Sequence, residues 1–171
     1  MSFLDLAKER YSVRKFSDRP IEQEKLDRII EAALVAPTAK NIQPWRMHIL
    51  RSEEALAKVN SLTRCVFGAP VVLLFTYDRD EEWKSPLEEG VHAGVEDVSI
   101  AATHAMLEAQ ELGVGSLWVN LFPNTETERA FDLPESERSV LLMPIGYAAA
   151  DCEPSERHAQ SRPADELVSY L

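Results

Sequence analysis

Leu26, Ile29, Ile30, Ala33 and Leu34 recur at the spacing of one helical face, with Glu22, Glu24, Lys25, Asp27, Arg28 and Glu31 mainly opposite. That pattern predicts an amphipathic helix. Pro37 ends it, because the residue before a proline is pushed out of the helical region. A longer stripe of Val95, Val98, Ala102, Ala105, Ala109 and Leu112 predicts a second helix over Gly94–Leu112, stopped by Gly113. Ser2 with Asp5 three residues on forms a capping-box pattern and predicts a short helix through about Glu9. Ser52 caps a further helix over about Glu53–Ser61, and another is expected around Thr125–Phe131.

Strand signals lie between these helices. Trp45–Arg51 alternates, with Trp45, Met47 and Ile49 on one face, whereas Val71–Thr76 is continuously apolar and predicts burial on both faces. Ser116–Asn120 and Ser139–Ile145 supply two more expected strands. Residues 78–92 are charged and contain Trp83 and Pro86, which reads as a loop or a broken helix. The tail from Ala150 is polar until Leu167–Leu171, an apolar, strand-prone end that needs an edge to pair with. No repeat or linker divides the chain, so one domain over residues 1–171 is expected. The uneven connections, and the lack of a glycine-rich loop after a strand, favour α+β over a doubly wound sheet.

Composition narrows the function. Of 171 residues, 45% are hydrophobic and 27% charged, a globular balance rather than a disordered one. No apolar run approaches the ~20 residues of a bilayer span, and Met1–Lys8 lacks the apolar region of a secretory signal. A soluble, cytoplasmic protein without membrane partners is expected. The formal net charge of −11 argues against nucleic acid, whose binders need a positive field. Yet residues 8–19 carry Lys8, Arg10, Arg14, Lys15 and Arg19 against Glu9 and Asp18, a net of +3, which leaves −14 on the rest. Such an island suits one small anion. Cys65 and Cys152 make no Cys-x-x-Cys pair and are expected to be free thiols.

Two segments carry candidate chemistry. In Arg10-Tyr11-Ser12-Val13-Arg14, an extended backbone would project two guanidinium forks and a hydroxyl to one side, a geometry suited to gripping a phosphate. The alternative reading is a solvated basic patch. In the loop Pro37–Pro44, Asn41 and Gln43 offer both donors and acceptors, as a heterocycle with alternating C=O and N–H groups requires. The prolines restrict the loop, so the amides are presented at low entropic cost. A helix stop followed by a strand start is the plainer account. His92 with Glu88 and Glu96 has metal-ligand spacing, but Gly90 and Gly94 interrupt that helix, so no metal site is expected. His48 reads as a partly buried strand residue. Ser116 lacks the nucleophile-elbow pattern of a hydrolase.

Taken together, the chain resembles the nitroreductase family of FMN-dependent NAD(P)H oxidoreductases. Four blocks match in order: Arg10–Arg14; Pro37-Thr38-Ala39-x-Asn41-x-Gln43-Pro44-Trp45; Gly113-Val114-Gly115-Ser116; and Met143-Pro144-Ile145-Gly146-Tyr147 followed by a basic tail residue. The resemblance implies an α+β fold with a central mixed, mainly antiparallel sheet flanked by helices. It further implies a homodimer with FMN at the subunit interface and a C-terminal tail that extends to the partner. Arg10, Tyr11, Ser12 and Arg14 match the first FMN segment, with contacts to the phosphate and the pyrimidine edge. Pro37, Thr38, Ala39 and Asn41 match the loop that reaches the neighbouring subunit's flavin. Val119, Asn120 and Leu121 fall where backbone groups line the ring, one N–H facing flavin N5, and Arg162 matches the basic tail position at the phosphate.

Hydride would pass from NAD(P)H through flavin N5 to a nitroaromatic, quinone or similar acceptor in ping-pong fashion, with no essential catalytic side chain. Two departures stand out. Gln160 occupies a position often basic, which Arg157 or His158 would have to replace, and Asn120 stands where the family often has an acid. The alternatives are a non-catalytic FMN sensor or carrier on the same fold, or different flavin chemistry such as dehalogenation or flavin breakdown.

Overall fold

The computed structural model describes residues 2–171. Helix α1 (Phe3–Glu9) opens on the expected capping box: Ser2 Oγ accepts from Asp5 N–H, and Asp5 accepts from Ser2 N–H. Helix α2 (Gln23–Leu34) is followed by the loop that leads to strand β1 (Trp45–Leu50) and then α3 (Glu53–Leu62), capped by Ser52. Strand β2 (Val71–Asp78), the long helix α4 (Gly94–Glu111), the two-residue β3 (Gly115–Ser116), α5 (Asn124–Ala130), β4 (Glu137–Gly146) and the single turn α6 (Ala164–Leu167) complete the order.

The four strands lie in the order β1-β2-β4-β3, and every neighbouring pair is antiparallel. The α+β architecture is as expected. Its parallel component is confined to an isolated bridge between Ser12 and Ser116.

Strand β2 is buried along seven of its eight residues. Val71, Leu73, Phe75 and Tyr77 enter one core with Leu26, Ile29 and Ala33 of α2 and with Val98, Ala101, Ala102, Ala105 and Ala109 of α4. Val72 and Leu74 enter a second core with Val59 of α3, Val66, Phe122 and the segment Val13–Phe16. The small residues of α4 let its backbone lie close to the sheet. Gly94 is the extreme case, since a Cβ there would meet Tyr77 Cδ2 at 2.3 Å. Gly113, at φ +70°, takes the left-handed position that closes α4.

A β-bulge sits where Phe75 pairs Leu141 but Thr76 pairs Ser139. Beyond it, the buried Glu137 accepts from Thr76 Oγ1 and pairs with His48 Nε2, so the partly buried strand histidine has a carboxylate partner. At the other end of β4, Tyr147 donates to Glu22 and accepts from Lys25 Nζ at 2.9 Å, with the Arg19 guanidinium 3.8 Å from its ring centroid. That cluster ties the end of the sheet to the start of α2.

Several expectations change. Leu34 and Val95 lie on the predicted stripes but are exposed. The strand expected over Ser116–Asn120 is regular only at Ser116 and continues as single pairings, Leu117 N–H to Pro144 O and Val119 with Leu142. Residues 79–92 form no helix and close through a Lys84–His92 bridge. In the tail, Leu167 ends α6 rather than starting a strand; Val168 N–H closes that turn on Ala164 O at 2.8 Å, and residues 169–171 pair with no strand among the described residues. An isolated strand needs a neighbour for its backbone bonds, and the monomer offers this segment none.

Gly94→Ala is expected to cost about 1–3 kcal/mol through overpacking against the Tyr77 ring. Urea unfolding should show a lower midpoint at constant slope. An unchanged midpoint would mean that the ring yields freely.

Candidate functional site

Three segments expected to meet a cofactor come from different parts of the fold. The first leaves α1 at its C-cap, Arg10, where the backbone turns extended at φ −61°, ψ 127°. Alternation then sorts the side chains. Tyr11 and Val13 pack into the core beneath the sheet, so Arg10, Ser12 and Arg14 face the other way. Val13 N–H donates to Ser116 O at 3.0 Å, which fixes the segment along β3. The basic island is resolved into two groups. Lys15 pairs with Asp151, and Arg19 with Glu22 at 2.6 Å. Arg10 makes no side-chain hydrogen bond or ion pair among the described residues, and Arg14 reaches only the Ser12 carbonyl at 3.3 Å. Two guanidinium groups on one outward edge thus remain open to an anion.

The tail runs back alongside this segment. Phe16 bridges Ala148, Ala149 N–H donates to Lys15 O, and the rings of Tyr11 and His158 meet edge-on at 6.3 Å. As far as His158 the tail therefore packs against its own chain. Of the basic tail residues, Arg162 is exposed and its Nε and Nη2 both bond Glu166, at 2.9 and 2.7 Å. Gln160 is exposed, and Arg157 has no ion-pair partner among the described residues.

The second segment is the loop after α2. Pro37 is exposed, and Thr38 and Ala39 are half-buried. Ala39–Asn41 makes one 3-10 turn, closed by Asn41 N–H to Thr38 O and Ile42 N–H to Ala39 O. Lys40, Asn41 and Gln43 all have positive φ, between 51° and 56°. The loop binds itself further through Gln43 N–H to Thr38 Oγ1 and Gln43 Nε2 to Asn41 Oδ1, both at 3.1 Å. Ala39 N–H leaves the loop and donates to Asp97 Oδ1 of α4 at 2.8 Å. Asp97 is only 2% exposed, and burial pushes its carboxyl up, against the lowering effect of the Ala39 bond.

In the third segment, Val119 exchanges both backbone bonds with Leu142, so its N–H is spent. That removes Val119 as a donor to any ring. The N–H groups of Asn120 and Leu121 have no partner among the described residues, and both residues are exposed. A cleft of about 1030 Å³ opens beside Asn120, bounded by Tyr77, Asn124, Arg129 and Arg138.

Within one chain, these pieces do not converge. The Arg10–Arg14 edge and the Val119–Leu121 segment share the β3 side of the sheet. The Pro37–Asn41 loop sits at the first turn of α4, whereas α1 packs beside His104 and Leu107, on the order of 10 Å along the helix. As for metals, no cluster of three ligating side chains occurs among the described residues, and His92 pairs with Glu82 at 2.7 Å rather than with Glu88 or Glu96.

The Nitroreductase family model matches residues 7–67 and 60–147. The chain belongs to the nitroreductase family. A Methanothermobacter thermautotrophicus protein with the provisional name NADH dehydrogenase/NAD(P)H nitroreductase is 33% identical over 87% of this chain and 78% of its own. The FMN reductase [NAD(P)H] of Bacillus subtilis is 31% identical over 81% of this chain and 62% of its own. Among solved structures, a nitroreductase family protein of Clostridium difficile superposes with a TM-score of 0.92 at 36% identity, covering 99% of this chain and 98% of that one.

Asp97, which accepts from the candidate loop at Ala39, is a residue that the motifs did not single out. Its signal was present, since a carboxylate at position 97 falls in the same buried stripe as Gly94, Val98 and Ala101. Because its folded pKa is raised, the folded state holds that proton more tightly than the unfolded chain. The charge therefore costs stability above the folded value and nothing below the unfolded one, about 3.9. Asp97→Asn keeps an acceptor for Ala39 N–H without the charge. Its stability relative to the wild type should rise with pH from about pH 4 upward and vanish in acid. Urea midpoints measured across that range check the sign; a pH-independent difference would contradict it.

Proposed function

We propose that this FMN-dependent NAD(P)H oxidoreductase delivers reducing equivalents to a nitroaromatic, quinone or similar small acceptor, from a site shared between two copies of the chain. The observation that carries the reading is the edge of two unpaired arginines beside the free N–H groups of Asn120 and Leu121. Arginine forks suit a phosphate, and exposed backbone donors suit a ring heteroatom. These residues fit FMN, which when bound supplies a two-electron carrier between a nicotinamide donor and the acceptor.

In this reading, Arg10 and Ser12 hold the phosphate and ribityl side, and Arg14 faces the pyrimidine edge. Asn120 or Leu121 N–H, no longer Val119, donates to flavin N5. Arg162 joins the phosphate only by releasing Glu166, and Arg157, close in sequence to the His158–Tyr11 contact, stands in for the position held by Gln160. No side chain here acts as nucleophile or proton donor to the acceptor. NAD(P)H and the acceptor would occupy the same space in turn, which gives ping-pong kinetics.

Two further observations support a homodimer. Asp97, which holds the Pro37–Asn41 loop, lies in the first turn of α4, whereas the Arg10–Arg14 segment pairs at Ser116, just past the other end of that helix. Exposed apolar side chains occur on α1 (Phe3, Leu4), at the end of α2 (Leu34 and the following Val35) and on α4 (Val95, Ile100), surface that a second copy would cover. The apolar end after α6, residues 169–171, would then find a strand edge on the partner.

The purified protein should be yellow, release FMN on heating, and sustain NAD(P)H oxidation with menadione or a nitrofuran. A yellow protein without turnover would favour a flavin carrier. Arg10→Ala should weaken FMN binding by about 1.5–3 kcal/mol in a fluorescence titration of the apo-protein, and Arg162→Ala by less. Unchanged affinity in Arg10→Ala would remove the phosphate assignment. Mixed dimers carrying Arg10→Ala in one subunit and Asn41→Ala in the other should retain one intact site. Activity lost at every site would rule out sharing.

A further inference from the structure

Asp97 is poorly placed for stability. Its Oδ2 is buried without any hydrogen-bond partner, on a helix face otherwise made of Gly94, Val98 and Ala101. A half-satisfied carboxylate in a core is costly, and an alanine or valine would pack there without that cost. Glu96 beside it and Glu82, which faces the same helix end through Gly94 N–H and His92, add repulsion and no compensation. Apart from the attraction of the α4 N-terminus, in whose first turn it lies, the Asp97 carboxylate has one hydrogen bond among the described residues, from Ala39 N–H.

That contact is made at a telling point. Directly after Ala39 come Lys40 and Asn41, both left-handed, and Gln43 is left-handed as well. Each non-glycine residue held there costs about 1–2 kcal/mol, less for asparagine. Such strain persists only where surrounding contacts over-determine it. The remaining bonds of Thr38–Ile42 close within the loop. At the far end, Gln43 O accepts only a long bond from Arg46, at 3.4 Å, and the first firm tie is one residue on, where Pro44 O accepts from Asp78 N–H at 2.9 Å. Asp97 thus ties the strained turn to the body of the fold.

We propose that Asp97 is a positioning residue of the cofactor site: through Ala39 N–H it holds the left-handed turn that presents Asn41 and Gln43 to the flavin of the partner subunit. The inference rests on the proposed reading that this loop contacts FMN. Asp97 itself touches no cofactor. Its cost to the core is retained because the turn, once held, presents its amides without paying ordering entropy when the flavin arrives.

The test is FMN titration of the apo-protein well below its thermal midpoint. Asp97→Ala should weaken FMN by about ten-fold or more, the fold-change of one lost hydrogen bond to a charged group. Asp97→Asn, which keeps an acceptor, should stay within about three-fold of the wild type. Ala39→Pro removes the donor instead; Thr38 is already extended at φ −134°, ψ 162°, as a residue before proline must be. It should reproduce Asp97→Ala, and the double variant should be no weaker than the worse single variant. Val98→Ala, a core truncation on the same turn, should lower the thermal midpoint while leaving FMN affinity unchanged.

Asp97→Ala with near wild-type affinity would overturn the proposal. So would losses that multiply in the double variant, or a loss in Val98→Ala equal to that in Asp97→Ala, which would make the role merely structural. Asn41→Ala separates the two levels. If it leaves FMN affinity unchanged, the loop reading fails and the proposal with it. If it weakens FMN while Asp97→Ala does not, only the role of Asp97 fails.

Discussion

Strand β2 has no solvent face. Seven of its eight residues are buried, and the two sides of one strand seed two cores. A sheet built on such a strand must be covered above and below, so α2 and α4 take one side while α3, α5 and the segment after α1 take the other. Those layers leave the sheet open only at its edges. One edge is β1. At the other, β3 is two residues long and leaves room for the extended Ser12–Val13 backbone to pair beside it. The candidate site lies along this second edge, where unpaired backbone groups are a structural by-product of a sheet that stops.

The short β3 also explains the division of labour among Val119, Asn120 and Leu121. Val119 is still within reach of Leu142 and spends both backbone groups on it. The chain then departs toward Phe122, which plugs the second core, and Thr63 Oγ1 takes the Leu121 carbonyl at 2.6 Å. Asn120 and Leu121 are thus held at both ends while their N–H groups face outward. Preorganised donors of this kind need no reorientation when a ligand arrives. The charge follows the same logic. Within the basic island, Asp151 and Glu22 neutralise Lys15 and Arg19, which leaves Lys8, Arg10 and Arg14 without a carboxylate partner among the described residues.

Much of this was legible in the pattern of residues. The stripe Leu26–Ile29–Ala33, the all-apolar run at Val71 and the alternation around Ser12 each name a periodicity, and periodicity reports which face is buried. What failed to show were features set by neighbours far along the chain. Leu34 and Val95 obey the helical spacing, yet they sit at the margins of their stripes, where the chain's own core does not cover them. The expected strand at Ser116–Asn120 has the right composition, but strand length is fixed by what pairs opposite, and Leu117 faces Pro144, which has no N–H to return its bond. Tyr147 gathers Glu22, Lys25 and Arg19 from more than a hundred residues away, a cluster with no local signature.

Helix α4 joins these strands of argument. Its inner face is small, so the sheet and the helix approach closely, and small residues leave no volume to hide a polar group. A carboxylate on that face is therefore a contradiction that local packing does not resolve. It becomes intelligible only from the outer loop, where Ala39 needs an acceptor that solvent would supply less rigidly. The same helix keeps that loop about two turns away from α1 and the Arg10 edge that follows it. Under the proposed dimer, the distance that separates the two halves of the site within a chain lets the halves of different chains meet. A rigid α4 then sets the spacing between two equivalent sites, and Asp97 fixes each loop to the end of that spacer. In that proposed arrangement, the burial cost of Asp97 follows from dividing one site between two copies of a single fold.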